Sequence, residues 1–209
     1  MTWGLTYPGA TTFPGMILWG ASTNGPAAPP GQYQVRLTVD GTVLTQPLTV
    51  RRHPWRSATD ADLKEQFELA LQIRDKLSEA NNAVIQIRRI KEEVAARTAK
   101  LSNTRLKRAG ERLVTSLTAI EEEIYQTRNQ SGQDPLNFPI KINNRIASLN
   151  RVVNAGDGKP IAVAYEIFKD VSAELKVQTD RLEQVLATDL AAFNAEAKRA
   201  GVSAIEVTR

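Results

Sequence analysis

The stretch ALQIRDKLSEANNAVIQIRRIKEEV, residues 70–94, decides the fold of this chain because its apolar residues recur at alternating spacings of three and four. Such spacing collects side chains on one face of a helix, where they pack against other helices. The apolar residues of this seam are Ala70, Ile73, Leu77, Ala80, Val84, Ile87, Val94 and Leu101. Upstream, Thr59 or Ser57 suits a helix cap, and Asp60 and Asp62 suit the first turn. The pattern predicts a first helix over about 60–100.

Three further segments repeat the helical spacing of apolar residues. They cover about 104–129, 140–153 and 160–198. At roughly 1.5 Å per residue the first and last helices each span about 60 Å, and the two middle segments together match one such length. The sequence therefore predicts a long up-down helical bundle whose middle leg is broken. A four-helix arrangement, in which the third helix doubles back, stays open.

The break in the middle leg lies in the stretch QSGQDPLNFPIKINNR, residues 130–145. Its two prolines remove amide donors and push the residues before them away from helical backbone. We interpret it as an ordered structural loop with Leu136 and Phe138 buried against the long helices, and a ligand site is the alternative reading. The residues of this loop are Asp134, Pro135, Leu136, Asn137, Phe138 and Pro139.

The chain before the bundle reads as β-structure. Residues 31–50 alternate apolar and polar side chains on both sides of Asp40-Gly41, which is the pattern of a hairpin with a two-residue turn. Upstream, TWGLTY and GMILWG are predicted as short strands. Because an immunoglobulin-like sandwich has about seven strands, residues 1–53 are predicted to be its C-terminal strands, with an open sheet edge. The expected fold class is α+β, with this partial sandwich followed by a bundle over 54–209.

Composition excludes several classes of function. The 209 residues include no cysteine and one histidine, His53, so neither a thiolate metal site nor a histidine cluster is expected within one chain. The net charge is only +4, with 27 basic and 23 acidic residues interspersed, which does not indicate a nucleic-acid partner. No apolar run approaches the ~20 residues of a membrane span. We expect no cofactor and no metal.

Charged clusters supply the remaining candidate residues. Glu121, Glu122 and Glu123 are consecutive, so they diverge around a helix and cannot converge as an acid and base pair. We expect them to lie on a solvated helix face. Two basic clusters are expected near one end of the bundle, where they would offer a surface to an anionic partner. Ion pairing along the helix surface is the alternative reading. These candidate interaction residues are Arg88, Arg89, Lys91, Arg105, Lys107 and Arg108, and no residue is assigned a catalytic role.

Three long segments resemble one family of proteins. They are PGMILWGASTNGPAAPPGQYQVRLTVDG (14–41), TDADLKEQFELALQIRDKLSEANNAVIQIRRIK (59–91) and QSGQDPLNFPIKINNRIASL (130–149). In this order they are similar to the C-terminal region of large bacterial sortilin-like, BNR-repeat β-propeller proteins, which are often labelled glycosyl hydrolases. The resemblance covers nearly the whole chain.

The resemblance implies a C-terminal piece that follows a propeller and a FlgD-like immunoglobulin module. It also implies export to the periplasm or the exterior. No catalytic residue carries over, because the propeller lies outside these segments. We therefore expect a non-catalytic interaction or structural module, with a protein partner, the protein's own propeller or a second copy paired through the open sheet edge. The alternative is an accessory or lid domain of a glycosyl-hydrolase-like enzyme whose active site lies in the propeller.

Overall fold

The computed structural model describes residues 4–99 and 103–207 and shows a mixed α+β fold. A two-stranded antiparallel sheet precedes the helices. Its strands are β1 (Gly31–Val39) and β2 (Thr42–Val50). The helices are α1 (Asp60–Thr98), α2 (Thr104–Ile124), α3 (Ile142–Val153), α4 (Ala162–Val185) and α5 (Ala191–Arg199), with a π-turn at Leu186–Leu190 between the last two.

Helix α1 begins where the sequence predicts, because Thr59 and Asp62 cap it reciprocally. The Asp62 amide donates to the Thr59 hydroxyl over 3.1 Å, and the Thr59 amide donates to the Asp62 carboxylate over 2.9 Å. Ile73, Leu77 and Val84 of the seam are fully buried. The predicted end of this helix at residue 100 and the seam residue Leu101 lie outside the described residues.

Side-chain contacts give the direction of the helices. Along α1, Gln66 donates to the carbonyl of Val153 in α3, Asn81 accepts from Asn143 in α3, and Arg88 pairs with Glu121 in α2. Successive positions along α1 therefore contact first the end of α3, then its start, and then α2. The α2 and α3 helices thus lie one after the other beside α1 and antiparallel to it, and α3 does not double back. The third leg runs parallel to α1, since Tyr165 of α4 donates to Glu65 near the start of α1, while Phe193 of α5 and Val94 of α1 both lie against Gly110.

Helix ends in the middle leg differ from their predicted positions. Helix α2 ends at Ile124 rather than 129, because Tyr125 adopts extended backbone (φ −134°, ψ 143°) and directs its side chain to the N-terminal chain. Helix α3 begins at Ile142 rather than 140, since Lys141 is extended (φ −108°, ψ −176°) two residues after Pro139. The last leg covers 162–199 instead of 160–198.

Residues 4–30, here called the N-terminal strap, do not form the predicted strands. Within the described part of the strap the one bridge of strand type joins Thr6 and Ala27. The strap instead lies on α1 and α3, and its Phe13 enters the hydrophobic core. The prediction was wrong because the two halves of the strap share only scattered backbone bonds, such as that from the Ala10 amide to the Thr23 carbonyl, and helix side chains bind other backbone groups of the strap. Trp3, in the predicted segment TWGLTY, lies outside the described residues.

Asparagine side chains from the helices hold the strap. Asn81 donates to the carbonyl of Thr11 over 2.7 Å. Asn144 accepts from the amide of Trp19 over 2.7 Å and donates to its carbonyl over 2.9 Å. Asn150 donates to the carbonyls of Ser22 and Asn24, each over 2.9 Å. Buried amide groups thus replace a sheet as the partners of this backbone.

The strap folds back on itself at a glycine. A Cβ atom at Gly25 would lie 2.1 Å from the carbonyl oxygen of Tyr7. Only a residue without a side chain permits this approach of backbone to backbone. The close packing brings Tyr7 against Phe67 of α1, with ring centroids 4.8 Å apart.

The predicted hairpin forms with the expected turn and register. Asp40 and Gly41 both have positive φ (47° and 80°), as a type I′ turn requires. Leu37 lies opposite Leu44, and Tyr33 lies opposite Leu48. The hairpin contributes no residue to the buried core of the bundle. It therefore extends from the bundle, with the strap before it and α1 after it.

Candidate functional site

The acidic residues of α2 do not form a catalytic pair. Glu121 is only 3% exposed, and its carboxylate accepts from Arg88 Nε over 2.7 Å and from Lys91 Nζ over 3.0 Å. Glu122 and Glu123 point to solvent, so the three consecutive carboxylates diverge as expected. In the part of the chain that the structure describes, no group of three or more His, Cys, Asp or Glu side chains could hold a metal ion.

Arg88 and Lys91, two of the predicted interaction residues, bind groups within this chain. The guanidinium of Arg88 lies 4.8 Å from the ring centroid of Phe13 and 5.2 Å from that of Tyr125. These two rings meet edge to face with centroids 5.1 Å apart. We call Phe13, Arg88, Lys91, Glu121 and Tyr125 the Glu121 cluster. It joins the strap, α1 and α2 through one carboxylate, two cations and two aromatic rings.

Arg89 is also used within the chain. Its guanidinium donates to the main-chain carbonyl of Glu206 and lies 3.8 Å from the carboxylate of Glu93. The same C-terminal tail is held by Arg97, which donates to the carbonyl of Ser203 over 2.8 Å. Arg89 is therefore part of the attachment of this tail to α1.

The second basic cluster faces solvent. Arg105, Lys107 and Arg108 are exposed at the start of α2, and no ion pair involves them within residues 4–99 and 103–207. The two predicted basic clusters thus differ in their partners, although Lys91 and Lys107 line the same groove. The α1 residues bind groups of this chain, whereas the α2 residues leave their charges in water.

The loop at 130–139 is closed by its own hydrogen bonds. The carboxylate of Asp134 accepts from the amides of Gln130 (2.6 Å) and Ser131 (2.8 Å) and from the Ser131 hydroxyl (3.0 Å). These bonds, the Gln130 amide first, hold the pKa of Asp134 below its ordinary value. A 3₁₀ turn over Asp134–Leu136 follows, so the break is ordered.

The predicted burial of Leu136 was wrong, and that of Phe138 holds only in part. Leu136 is 68% exposed. Phe138 is half-buried, and the guanidinium of Arg128 lies 4.2 Å from its ring centroid. Because hydrogen bonds to Asp134 already close the turn, the loop does not depend on an apolar anchor, and Leu136 projects to solvent. Asn137 and Pro139 are also exposed, while Pro135 is half-buried.

Replacing Phe138 by Ala should lower the free energy of unfolding by about 1–2 kcal/mol. A fully buried Phe would cost about 3–5 kcal/mol, but this ring is half-buried and its cation–π contact with Arg128 contributes about 1 kcal/mol or less at an exposed site. Urea denaturation followed by circular dichroism measures the change. Leu136→Ala is the control and should change stability by less than about 0.5 kcal/mol. A loss above 3 kcal/mol for Phe138→Ala would show that the loop closes over the ring.

One face of the hairpin is an apolar surface that the rest of the described chain leaves largely open to water. Alternation of side chains gives it two faces. The apolar face consists of Tyr33, Val35, Leu37, Val39, Leu44, Leu48 and Val50. Its distal residues are about half exposed: Val35 50%, Leu37 55%, Val39 53% and Leu44 60%. A hairpin of two strands is marginally stable in water by itself, so this face is the candidate functional site.

Comparison with known proteins adds no family to this geometry. No family model matches the chain, and no curated protein or solved structure matches it. Among residues 4–99 and 103–207, no helix combines the length and the apolar character that crossing a membrane requires. The surfaces described above are therefore the features of this chain that bear on its function.

Proposed function

We propose that this chain is a non-catalytic interaction and structural module whose bundle is the rigid support and whose hairpin is the docking element. The exposed apolar face of the hairpin carries this proposal. Contiguous apolar surface that stays in water marks interaction sites in soluble proteins. The core of the bundle is closed within the chain, since Ile73, Leu117 and Phe193 from its three legs are fully buried.

A second layer of β-structure is the cover that fits this face. Antiparallel sheets in sandwiches pack face to face at about 10 Å, with apolar residues of both inner faces interdigitating. The alternation along β1 and β2 supplies one such inner face. The FlgD-like immunoglobulin sandwich implied by the sequence resemblance would supply the other. That resemblance also suggests the parent, an exported sortilin-like propeller protein of the periplasm or exterior, with the bundle as a spacer or docking surface.

The alternative role as the lid of a hydrolase has less support. A lid would turn a carboxylate of the 130–139 loop toward a substrate, and Asp134 is the acidic residue of that loop. Its two carboxylate oxygens instead accept hydrogen bonds from Gln130 and Ser131. The only histidine, His53, is exposed and packs edge to face on Trp55 with ring centroids 5.5 Å apart.

Hydrogen exchange tests the proposal on the full chain at low micromolar concentration. We expect the cross-strand amides of the hairpin, such as those of Leu37 and Leu44, to be protected less than about tenfold, since the hairpin is marginal. Amides around Val84 in α1 should be protected at least about a thousandfold, because they open only with the bundle. Equal protection of hairpin and α1 in a sample that sedimentation shows to be monomeric would overturn the proposal, since the hairpin would then need no cover.

A further inference from the structure

The two edges of the hairpin differ in their capacity to accept another strand. A two-residue type I′ turn is closed by a hydrogen-bonded pair, here Val39 and Thr42, and hydrogen-bonded pairs then alternate along the ladder. Pro47 lies opposite Gln34 in a pair without cross-strand hydrogen bonds. Its backbone nitrogen points outward and carries no hydrogen. The outer edge of β2 therefore lacks a donor near its middle.

The outer edge of β1 has no such interruption. By the same alternation, the backbone N–H and C=O groups of Gln32, Gln34, Arg36 and Thr38 point away from β2. Within the described residues the sheet contains β1 and β2 alone, so no third strand pairs with this edge. An open edge with a full row of donors and acceptors is a template for another extended chain. An added strand thus has one suitable edge, that of β1.

We infer that the β1 edge binds β1 of a second copy, antiparallel, about a two-fold axis at Val35. This inference rests on the proposed role of the hairpin as the docking element. With the axis at Val35, Gly31 lies opposite Val39 of the partner subunit, so all nine residues of β1 pair. The outward groups of Gln34 bond those of the partner's Arg36. Every unpaired donor and acceptor of this edge then has a counterpart.

Side chains on both faces agree with this register. On the apolar face, Val35 meets the partner's Val35, and Tyr33 meets the partner's Leu37. On the polar face, Arg36 faces the partner's Gln34, so no like charges are opposed. Moving the axis to Arg36 would place Arg36 against the partner's Arg36, and moving it to Gln34 would shorten the overlap. Shifting the partner strand by one residue would place backbone groups that point toward β2 opposite groups that point outward. It would also put apolar residues opposite polar ones, on the wrong face of the sheet.

The product is a four-stranded sheet in the order β2–β1–β1–β2, with the two apolar faces joined into one. Three or more strands with a hydrophobic face reach the size at which sheets become independently stable. The antiparallel arrangement sends the two bundles to opposite ends of this sheet, because each bundle follows the base of its own hairpin. An isologous interface of this kind closes at two copies.

Cysteine trapping tests the register, since the chain contains no cysteine of its own. In a pair without hydrogen bonds the Cα atoms lie about 4.5 Å apart, within the range that a disulfide spans. Val35→Cys should therefore form a covalent dimer under mild oxidation. Leu37→Cys is the matched control: it lies on the same face with similar exposure (55% against 50%), but its counterpart would be four residues away, about 13 Å. We expect at least about tenfold more dimer with Val35→Cys.

Proline substitution tests the edge, with sedimentation equilibrium as the measurement and circular dichroism to verify retained helix. Arg36 and Thr45 are cross-strand partners, so a proline at either position lies at the same distance from the turn. The proline at Arg36 removes an outward N–H from the β1 edge, and the proline at Thr45 removes one from the β2 edge. Arg36→Pro should raise the Kd of the dimer at least about tenfold, equivalent to losing roughly one outward hydrogen-bonded pair. Thr45→Pro and the charge control Arg36→Gln should leave it within about threefold.

Several outcomes would overturn the inference. They are a chain that stays monomeric at every concentration, a dimer weakened by Thr45→Pro but not by Arg36→Pro, and trapping of Leu37→Cys in preference to Val35→Cys. If the chain is monomeric and the hairpin amides exchange freely, the second copy is not the partner, but the proposed docking role of the hairpin stands. If the hairpin amides are fully protected from exchange in the monomer, both the dimer and the docking role are contradicted.

Discussion

Replacing Phe13 by Ala is expected to lower the free energy of unfolding by about 3–5 kcal/mol, as deletion of a buried aromatic ring does. Phe13 is the residue through which the strap enters the core, where it contacts Tyr125 and lies beneath the guanidinium of Arg88. Its removal leaves a cavity and also weakens the aromatic and cation–π contacts of the Glu121 cluster. Thermal and urea denaturation measure the loss.

A matched variant separates this effect from general disturbance of the strap. Leu5 lies in the same strap but is 43% exposed, so Leu5→Ala should cost less than about 1 kcal/mol. Hydrogen exchange of the Ser22 amide, which donates to the carbonyl of Ala147 over 3.0 Å, reports whether the strap has left α3. A Phe13→Ala protein that melts with the parent and keeps this amide protected would show that the strap is held by its hydrogen bonds alone.

The second large effect is expected for Glu121→Gln. The substitution keeps the shape of the side chain but removes the charge that both Arg88 and Lys91 contact. Breaking a buried ion pair by neutralising one partner costs about 3–5 kcal/mol. Because the two cations remain partly exposed and regain some hydration, we expect about 3 kcal/mol. Glu122→Gln, one residue further on and exposed, should change stability by less than about 0.5 kcal/mol.

Combining two substitutions checks the cause of that loss. Adding Lys91→Met to Glu121→Gln removes one cation that would otherwise lack a partner. If unpaired charge is the reason for the loss, the double variant should be more stable than Glu121→Gln alone by about 1 kcal/mol, seen as a coupling in a double-mutant cycle. Additive losses would instead assign the effect to packing within the Glu121 cluster.

The elements that could be predicted from sequence are those that local residues determine. The period of α1, its start beside Thr59 and the Asp40-Gly41 turn each depend on residues a few positions apart. The strap could not be predicted in this way. Its partners lie far along the chain, as in the bonds of Thr11 with Asn81 and of Trp19 with Asn144.

A signal for the strap was nevertheless present in the sequence. Asn143 and Asn150 fall on the apolar face of α3, and Asn81 falls on that of α1. A buried polar residue on such a face often fixes the register between helices, and Asn81 does contact Asn143. A buried amide has more donors and acceptors than one such contact uses. The remaining donors and acceptors of these asparagines need other polar partners, and the backbone of the strap supplies them.

The basic residues show a second limit of sequence reasoning. Their positions on α1 and α2 were evident, whereas the identity of their partners depends on how the helices pack. Glu121 was grouped with its exposed neighbours because three consecutive acids usually lie on a solvated surface. Packing of α2 against α1 instead buried the first of them against Arg88 and Lys91.

The strap also determines how a mechanical load on the hairpin would reach the bundle. Tension at Gly31 pulls on the strap, whose anchors to the helices come in succession: Asn150 at Asn24 and Ser22, Asn144 at Trp19, then the hydroxyl of Tyr125 at the Ile17 amide. Tension on the other strand reaches α1 through Arg52, which donates to the carbonyl of Ala58 just before the helix and lies 3.6 Å from the carboxylate of Asp60 in its first turn. The hairpin is thus tethered at both ends, and a pull from a docked partner is shared between α3 and α1 instead of peeling one segment from the protein.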